Sequence, residues 1–216
     1  GMMLSSSTNH SLFDMRHHLS WLSGLKAKYD LLVFPTPIYN MPDWKVTDYE
    51  IIREDKKYFK VIGVRVTITL KYFLSSRIIP MQQGLCAYII KKINGVYHFL
   101  VQAKLECGNY DVMELAPTVQ CLTGDYSKAI IKPPFCDYVL NARPEQIIFD
   151  TLQSEEGGRF YKEQNRNMLI EADDYFPIEL PEHYTWMTLN QIYSFLCFNN
   201  FLNIQARSLL SAIQYR

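Results

Sequence analysis

Residues 84–105 read GLCAYIIKKINGVYHFLVQAKL, two runs rich in Val, Ile, Tyr and Phe on either side of Asn94-Gly95. An Asn-Gly pair between two such runs is the strongest short-range hairpin signal, because a type I′ turn needs positive φ at both of its central residues. The sequence therefore predicts an antiparallel hairpin at the centre of the fold.

The second strand of this hairpin alternates between apolar and polar side chains. Val101 and Ala103 fall on one face, and Gln102, Lys104 and Glu106 fall on the other. A face that carries an amide, an ammonium and a carboxylate at two-residue spacing either meets water or lines a polar cleft. Periodicity alone does not choose between these two surroundings.

The composition is that of an ordinary globular chain. The chain has 216 residues, of which 48% are hydrophobic and 20% charged, so it can bury a substantial core. The formal net charge is zero, which argues against binding to nucleic acid or to an anionic membrane. Its 15 tyrosines and 12 phenylalanines would suit stacking on a flat or sugar-like ligand, or an aromatic core.

The cysteines and the ends of the chain bear on its compartment. The five cysteines are widely spaced, with no CxxC pair and no Cys/His cluster, so neither a zinc site nor a disulfide framework is predicted. We find no run of the roughly 18 apolar residues that a membrane helix needs, and no apolar run typical of a signal peptide. We therefore expect a cytoplasmic protein with no membrane partner.

Three segments are predicted along the chain. Residues 1–8 are polar and expected to be disordered, and Gly1 before Met2 is typical of the scar left by tag removal. Residues 9–44 are expected to hold an N-terminal helix over 11–25 and an irregular proline-containing arm. Residues 45–216 are expected to form a single module.

Within that module the patterns predict both strands and helices. Strands are predicted over 46–53, 58–70, 112–115 and 167–172, and a short helix over 135–140. Residues 145–165 carry a helical pattern that Gly157-Gly158 interrupts. Thr188 and Asn203 are suitable N-caps for two final helices. The order of these elements predicts an α+β fold, with a mostly antiparallel or mixed sheet flanked by helices.

No Gly-rich phosphate loop, G-x-S-x-G elbow or H-E-x-x-H motif is present. Polar residues of the kinds that catalyse reactions or bind ligands instead cluster in three places: Gln102, Lys104, Glu106 and Asn109 with His98; Glu114 with Thr118 and Gln120; and residues 153–161 with 165–167. The third cluster is also typical of a charged helix face that ends at glycine.

Six motifs resemble the NDP-hexose 2,3-dehydratase family of deoxysugar biosynthesis over residues 45–212. They are GVYHFLVQAKLECGN (95–109), MELAPTVQ (113–120), PPFCDYVL (133–140), LQSEEGGRFYKEQNRNMLIE (152–171), YTWMTLNQI (184–192) and NIQARSLL (203–210). The resemblance implies a lyase that removes water across C2 and C3 of an NDP-4-keto-6-deoxyhexose, without a redox cofactor or a metal. It also implies a Nudix-like module, although the chain lacks a full Nudix box.

Typical family members carry two tandem copies of the module, whereas this sequence contains one. The resemblance therefore predicts that two chains pair as a homodimer. Two alternatives stay open: a non-catalytic nucleotide-sugar-binding or scaffold module, and an epimerase that uses similar enolate chemistry.

The implied reaction needs a base, an acid, donors near the C4 oxygen and a cradle for the diphosphate. The predicted acid/base residues are Glu155, Glu156 and His98, and the predicted oxyanion donors are Lys104 and Tyr161. The predicted phosphate ligands are Arg159 and Arg166, and the predicted ligands of the sugar hydroxyls are Gln102, Asn109 and Gln120. The remaining predicted binding residues are Glu114, Thr118, Gln153, Ser154, Gly157, Gly158 and Asn165.

Overall fold

The computed structural model describes residues 1–68, 71–121, 132–155 and 158–213, and shows two β-sheets with helices around the larger one. Its strands are β1 (Trp44–Val46), β2 (Glu50–Arg53), β3 (Phe59–Ile68), β4 (Lys71–Pro80), β5 (Leu85–Ile93), β6 (Val96–Leu105), β7 (Met113–Ala116), β8 (Val119–Cys121), β9 (Ile147–Ser154), β10 (Gln164–Glu171) and β11 (Tyr184–Thr188). Its helices are α1 (Met2–Ser7), α2 (Met15–Lys28), α3 (Cys136–Leu140), α4 (Leu189–Leu196) and α5 (Ile204–Ser211). The predicted α+β class is confirmed.

The predicted hairpin forms the centre of the seven-stranded main sheet, whose order is β11-β6-β5-β10-β9. Asn94 and Gly95 have φ angles of 51° and 83°, the positive values that a type I′ turn needs. Strand β10 runs parallel to β5, and the other pairs among the described strands are antiparallel. The sheet is therefore mixed.

The two hairpin strands separate beyond their first four paired residues, and the β7–β8 segment lies between them. Strand β7 pairs with β6, and β8 pairs with β5. Thr118, which links these two short strands, accepts a hydrogen bond from Ile89 N–H at 2.9 Å and donates one to the Leu100 carbonyl. The hydroxyl thus bonds the Ile89 N–H and the Leu100 carbonyl at the point where β5 and β6 separate and stop pairing with each other.

Each face of the main sheet covers its own apolar core. On one face, Tyr88, Phe99 and Leu115 pack against helices α2, α4 and α5. On the other face, Leu85 and Met168 pack against α3 and Trp186. Because both faces are covered, β5 is buried almost throughout, as is expected of the inner strand of a mixed sheet.

The four-stranded small sheet is an antiparallel meander in the order β1-β2-β3-β4. It meets the connection between β9 and β10 through backbone hydrogen bonds. Ile78 N–H donates to the Arg159 carbonyl at 2.9 Å, and Tyr161 N–H donates to the Ile78 carbonyl at 2.8 Å. Strand β4 then leads directly into β5, so the small sheet stands beside the end of the main sheet.

Two parts of the structure differ from the predictions. Residues 145–165 are predicted to be helical, but within this range Ile147–Ser154 form β9 and β10 begins at Gln164. The reason is the i, i+2 spacing of Ile147 and Phe149, which puts both on one face of a strand and Ile148 on the other. Strand β4, for which no element was predicted, pairs along its whole length with β3.

The N-terminal residues also differ from the predicted disorder, because Met2–Ser7 form a helix that packs on the main sheet. The Ser5 hydroxyl donates to the Tyr97 carbonyl at 2.6 Å and accepts from Leu189 N–H at 2.9 Å. These hydrogen bonds, together with the burial of Met2 in the core, hold the segment in place. None of the described helices combines the length and apolar character that crossing a bilayer would require.

Candidate active site

A cavity of about 530 Å³ lies between the small sheet, the β9–β10 connection and the first turn of α5. We call it the inter-sheet cavity. Its lining residues are Trp44, Arg53, Tyr58, Phe59, Ile78, Pro80, Glu155, Arg159, Phe160, Glu163, Ile204 and Gln205. This volume lies within the range of small-molecule sites in proteins.

One wall of the inter-sheet cavity is aromatic and cationic. The rings of Trp44 and Phe59 have their centroids 5.2 Å apart, and the Arg53 guanidinium lies over the ring of Tyr58, also at 5.2 Å. Arg53 is held by ion pairs with Asp55 at 3.0 Å and Asp43 at 3.5 Å. A flat aromatic base and an anion could both find partners on this wall.

The opposite wall carries two carboxyl groups from the ends of the β9–β10 connection. Glu155 N–H donates to the Glu163 carbonyl at 3.1 Å, which holds the two residues side by side. The Glu163 side chain is only 8% exposed, and its Oε2 has no hydrogen-bond partner among the described residues. Burial, and to a lesser extent the charge of Glu155, raises the pKa of Glu163 to about 7.

Asn165 fixes the position of Glu155. Its side-chain Oδ1 accepts from Gly84 N–H at 3.0 Å, and its Nδ2 donates to the Glu155 carboxylate. A side chain at position 84 would overlap the Asn165 amide, so glycine is required for this close approach. Asn165, predicted to bind substrate directly, is thus placed beside the cavity as a partner of Glu155.

A chain of polar side chains connects α5 to the hairpin. Asn203 caps α5 by accepting from Ala206 N–H, and it donates to Gln120 Oε1 at 2.7 Å. Gln120 in turn donates to Glu106 at 3.1 Å, and Lys104 lies 3.5 Å from the Glu106 carboxylate. The polar face of β6 therefore lines a hydrogen-bonded cluster, one of the two surroundings left open by its sequence.

Cys86 is a buried thiol on β5, on which charges from both the cluster and the cavity wall act. Burial raises the pKa of the Cys86 thiol to about 12, and the nearby charges that act on it include Glu155, Glu106 and Lys104. The first two residues of α5, Ile204 and Gln205, line the cavity directly after Asn203. The predicted residues Gln120 and Lys104 thus lie near the cavity without lining it.

Two predicted site residues have their polar atoms bonded to the backbone. His98 accepts from Leu12 N–H through Nε2 at 3.0 Å and contacts the Val96 carbonyl through Nδ1 at 3.0 Å. Burial lowers the pKa of His98, which favours the neutral ring that these two contacts require. Thr118 bridges β5 and β6 as described above, so both side chains have structural partners.

Other predicted residues lie outside the cavity lining. Arg166 forms a bidentate pair with Asp150 at 2.8 and 2.6 Å, across strands β9 and β10. Glu114 lines a separate cavity of about 200 Å³ with Arg207, and burial raises its pKa. Asn109 donates to the Lys104 carbonyl at 3.4 Å in the turn after β6.

The remaining predicted residues divide into three groups. Arg159 lines the inter-sheet cavity, as does Glu155. The residues that do not line it are Gln153, Ser154, Gly158 and Tyr161, which are close in sequence to lining residues, and Gln102, which lies on β6 opposite Tyr184 and Ala116. Glu156 and Gly157 lie outside the described residues.

The sequence reasoning missed Glu163, Arg53 and the aromatic residues Trp44, Tyr58 and Phe59. Glu163 was overlooked because the helical reading of 145–165 gave it no relation to Glu155, eight positions earlier. A strand reading of 147–154 and 164–171 would have placed both carboxyls at the two ends of one hairpin connection. No local sequence pattern indicates that the small-sheet residues lie near the β9–β10 connection.

Comparisons with known proteins agree on one family. A model of the NDP-hexose 2,3-dehydratase family matches residues 15–213. A dTDP-4-dehydro-6-deoxy-alpha-D-glucopyranose 2,3-dehydratase of Streptomyces violaceoruber is 38% identical over 208 residues, which cover 94% of this chain and 47% of that protein. A protein of the same name from Saccharopolyspora spinosa is 42% identical, over 90% of this chain and 41% of that protein.

These matches confirm the resemblance that the sequence motifs carry. The chain spans under half the length of these relatives. Among solved structures, an Ap4A hydrolase of C. elegans matches with a TM-score of 0.36 and 13% identity, over 54% of this chain and 87% of that chain. The predicted Nudix-like character of the module stays a prediction.

Proposed function

The chain belongs to the NDP-hexose 2,3-dehydratase family, and we propose that it takes part in removing water across C2 and C3 of an NDP-4-keto-6-deoxyhexose. The observation that carries this proposal is the inter-sheet cavity, which combines aromatic rings, two arginines and two adjacent carboxyls. The relatives' names mention a dTDP-linked 4-dehydro-6-deoxy sugar, and we propose a substrate of this class.

The cavity offers partners for each part of such a substrate. We propose that Trp44 and Tyr58 stack on the nucleotide base, because they stand on the aromatic wall. Arg159 and Arg53 would hold the diphosphate, whose charge suits a guanidinium fork. The sugar would then reach the opposite wall, where Glu155 and Glu163 stand.

The chemistry follows from the C4 ketone. The ketone acidifies the C3 hydrogen, so a base removes it and leaves an enolate over C3, C4 and the C4 oxygen. The C2 hydroxyl lies β to the ketone and leaves as water when an acid protonates it. The resulting C2=C3 enol then tautomerises to a 3,4-diketone. We propose Glu155 as the base, because it lines the cavity and the Asn165 amide holds its carboxyl in place by a hydrogen bond.

Lys104 and Tyr161 are retained as proposed donors to the C4 oxygen, with different supporting observations. Lys104 is paired with Glu106 and lies near Cys86 beside the cavity. Tyr161 follows Phe160, which lines the cavity, and its side chain is partly exposed. We do not assign Arg166, His98 or Thr118 to the reaction, because their polar atoms are bonded within the protein.

The direct test is incubation of the purified chain with dTDP-4-keto-6-deoxyglucose, followed by mass spectrometry of the sugar nucleotide. We expect loss of the mass of one water, trapped by a reductant because the diketone is labile. A no-enzyme incubation and the Glu155→Gln variant serve as controls. Binding of dTDP with an unchanged sugar would instead support a nucleotide-sugar-binding module. Deuterium uptake at C3 without loss of water would support an epimerase.

We also propose that two chains associate as a homodimer. Large apolar side chains stand exposed on the segment after α2 and at the outer end of β4, at Leu32, Phe34, Tyr72 and Leu74. Exposed apolar side chains that come together in a contiguous patch are typical of interaction surfaces. Light scattering coupled to gel filtration should give twice the chain mass, and Leu74→Glu should lower it towards the monomer. A monomer at micromolar concentration would contradict the proposal.

A cytoplasmic location is proposed on the state of the cysteines. Cys86, Cys107, Cys136 and Cys197 are free thiols in the structure. Reduced thiols are typical of cytosolic proteins, where disulfides are rare.

A further inference from the structure

Glu163 is a buried carboxyl with an unsatisfied oxygen in the wall of the inter-sheet cavity. Its side chain is 8% exposed, and its Oε2 has no partner among the described residues. A buried carboxylate without a donor is costly, whereas a protonated carboxyl in the same place is not charged. The family resemblance pointed to Glu155 and Glu156, and it assigned no role to Glu163.

The charged and titratable groups around the cavity define the surroundings of Glu163. Glu155 lies beside it on the same connection, Arg159 stands between the two in sequence, and Arg53 and Tyr58 stand on the facing small sheet. Arg53 is already paired with Asp55 and Asp43. The α5 helix contributes only the neutral Ile204 and Gln205.

The two carboxyls have opposite surroundings. Glu155 accepts a hydrogen bond from the side-chain N–H of Asn165. The Oε2 of Glu163 has no donor among the described residues, Glu163 is more deeply buried than Glu155, and the negative charge of Glu155 acts on it. Burial raises the pKa of Glu163, so of these two adjacent carboxyls Glu163 is the one suited to act as the acid.

We propose that Glu163 is the general acid that protonates the departing C2 hydroxyl, while Glu155 is the base that takes the C3 proton. The assignment rests on the proposed dehydratase function. It adds a named second catalytic group to that function, and it gives each carboxyl one role.

The proton balance closes over one turnover. Glu155 takes the proton of C3, and the C3–H electron pair forms the enolate. The enolate electrons then form the C2=C3 bond as the C2–O bond breaks, and the proton of Glu163 leaves with the hydroxyl as water. In the tautomerisation, Glu155 returns its proton to C2 and Glu163 takes the proton of the C3 enol hydroxyl. Both groups are then back in their starting states, with no oxidant or reductant involved.

The test separates the two proton transfers. In D₂O with dTDP-4-keto-6-deoxyglucose, Glu163→Gln should keep deuterium exchange at C3 and lose water elimination by at least about 100-fold, the scale of general acid catalysis. Glu155→Gln should lose both. Glu163→Asp should recover part of the elimination, and Glu179→Gln, an exposed carboxyl outside the cavity lining, serves as the matched control and should behave as the wild type.

A purely structural role for Glu163 would lower exchange and elimination together, and that result would overturn the assignment. Elimination by Glu163→Gln within about threefold of the wild type would overturn it as well, and the dehydratase function would stand. A wild-type chain that binds dTDP but neither exchanges C3 nor eliminates water would refute the dehydratase function itself. If Glu163→Gln does not fold, the Glu163→Asp variant decides: its elimination rate should fall while its C3 exchange is kept, and an unchanged ratio of the two would contradict the proposal.

Discussion

At the scale of single residues, Thr118 shows how one hydroxyl can hold a sheet open. It stands where β5 and β6 part, with one backbone partner on each strand. Because the site is fully buried, water cannot replace the hydroxyl if it is removed. A residue predicted to bind substrate therefore contributes to the fold instead.

We expect Thr118→Val to lower the free energy of unfolding by about 2–4 kcal/mol, since a buried N–H and a buried carbonyl would each lose their partner. Chemical denaturation should show the loss as a lower midpoint. Thr151→Val, at an exposed position on β9, is the control and should change stability by less than about 0.5 kcal/mol. Equal stability of the two variants would show that the hydroxyl is not needed at the split.

At the same scale, ionisation of Glu163 should lower the free energy of unfolding. Its pKa in the folded chain, about 7, lies above the unfolded value of 4.5, so the folded state binds more protons between these two values. The free energy of unfolding should therefore fall as the pH rises from about 4.5 to about 7. Removal of the ionisable group should abolish this loss.

We accordingly expect Glu163→Gln to be more stable than the wild type at pH 8, by up to about 3 kcal/mol, and equal to it near pH 4.5. Thermal unfolding across this pH range would measure the difference. Glu179→Gln should follow the wild-type curve at every pH. A Glu163→Gln variant that is less stable at pH 8 would mean that the carboxylate has a stabilising partner.

At the scale of elements, helix α5 connects the hairpin with the inter-sheet cavity. Asn203 caps the helix and reaches Gln120, and the next two residues line the cavity. The position of the helix therefore sets both the polar cluster of β6 and part of the cavity wall. A short helix of eight residues depends on such tertiary contacts, since it is marginal alone.

Asn203→Ala should lower the free energy of unfolding by about 2–3 kcal/mol, about half from the lost cap and half from the buried Gln120 Oε1, which loses its donor. Asn199→Ala, an exposed asparagine in the preceding loop, is the control and should have little effect. Asn203→Asp should keep the cap but lose the donation to Gln120. Its free energy of unfolding should therefore lie between those of Asn203→Ala and Asn199→Ala. Denaturation with urea measures all three.

At the scale of the whole molecule, the inter-sheet cavity exists because two sheets and a helix end meet. Its aromatic wall belongs to the small sheet, and its carboxyls belong to the β9–β10 connection of the main sheet. A ligand that touches both walls would bind only the folded chain. Ligand binding should therefore stabilise the whole molecule.

We expect dTDP at about 100 times its Kd to raise the free energy of unfolding by about 2.7 kcal/mol, visible as a higher melting temperature. Trp44→Ala should lose most of this shift, because the stacking partner of the base is gone. Tyr110→Ala removes an exposed aromatic residue outside the cavity lining and should keep the shift. An undiminished shift in Trp44→Ala would place the nucleotide elsewhere.

The sequence alone determined the elements whose signals are local. The Asn94-Gly95 turn, the alternation along β6 and the caps at Thr188 and Asn203 all depend on a few neighbouring residues, and each is found as predicted. The family motifs, spread along the chain, were equally readable. The helix predicted over 145–165 was wrong, because the apolar residues Ile147, Phe149 and Leu152 fit a helical spacing as well as the strand that the structure shows over Ile147–Ser154.

Only the tertiary structure decided which residues share the cavity and which carboxyl is buried. Trp44 and Glu163 are far apart in the chain, and no sequence pattern around either residue indicates that they line the same cavity. The pKa of Glu163 depends on burial and on its neighbour, which are properties of the folded surroundings and not of the residue. The folded surroundings also determine the roles of His98 and Thr118. Both are polar residues predicted to belong to the site, but the tertiary structure places their polar atoms against backbone partners.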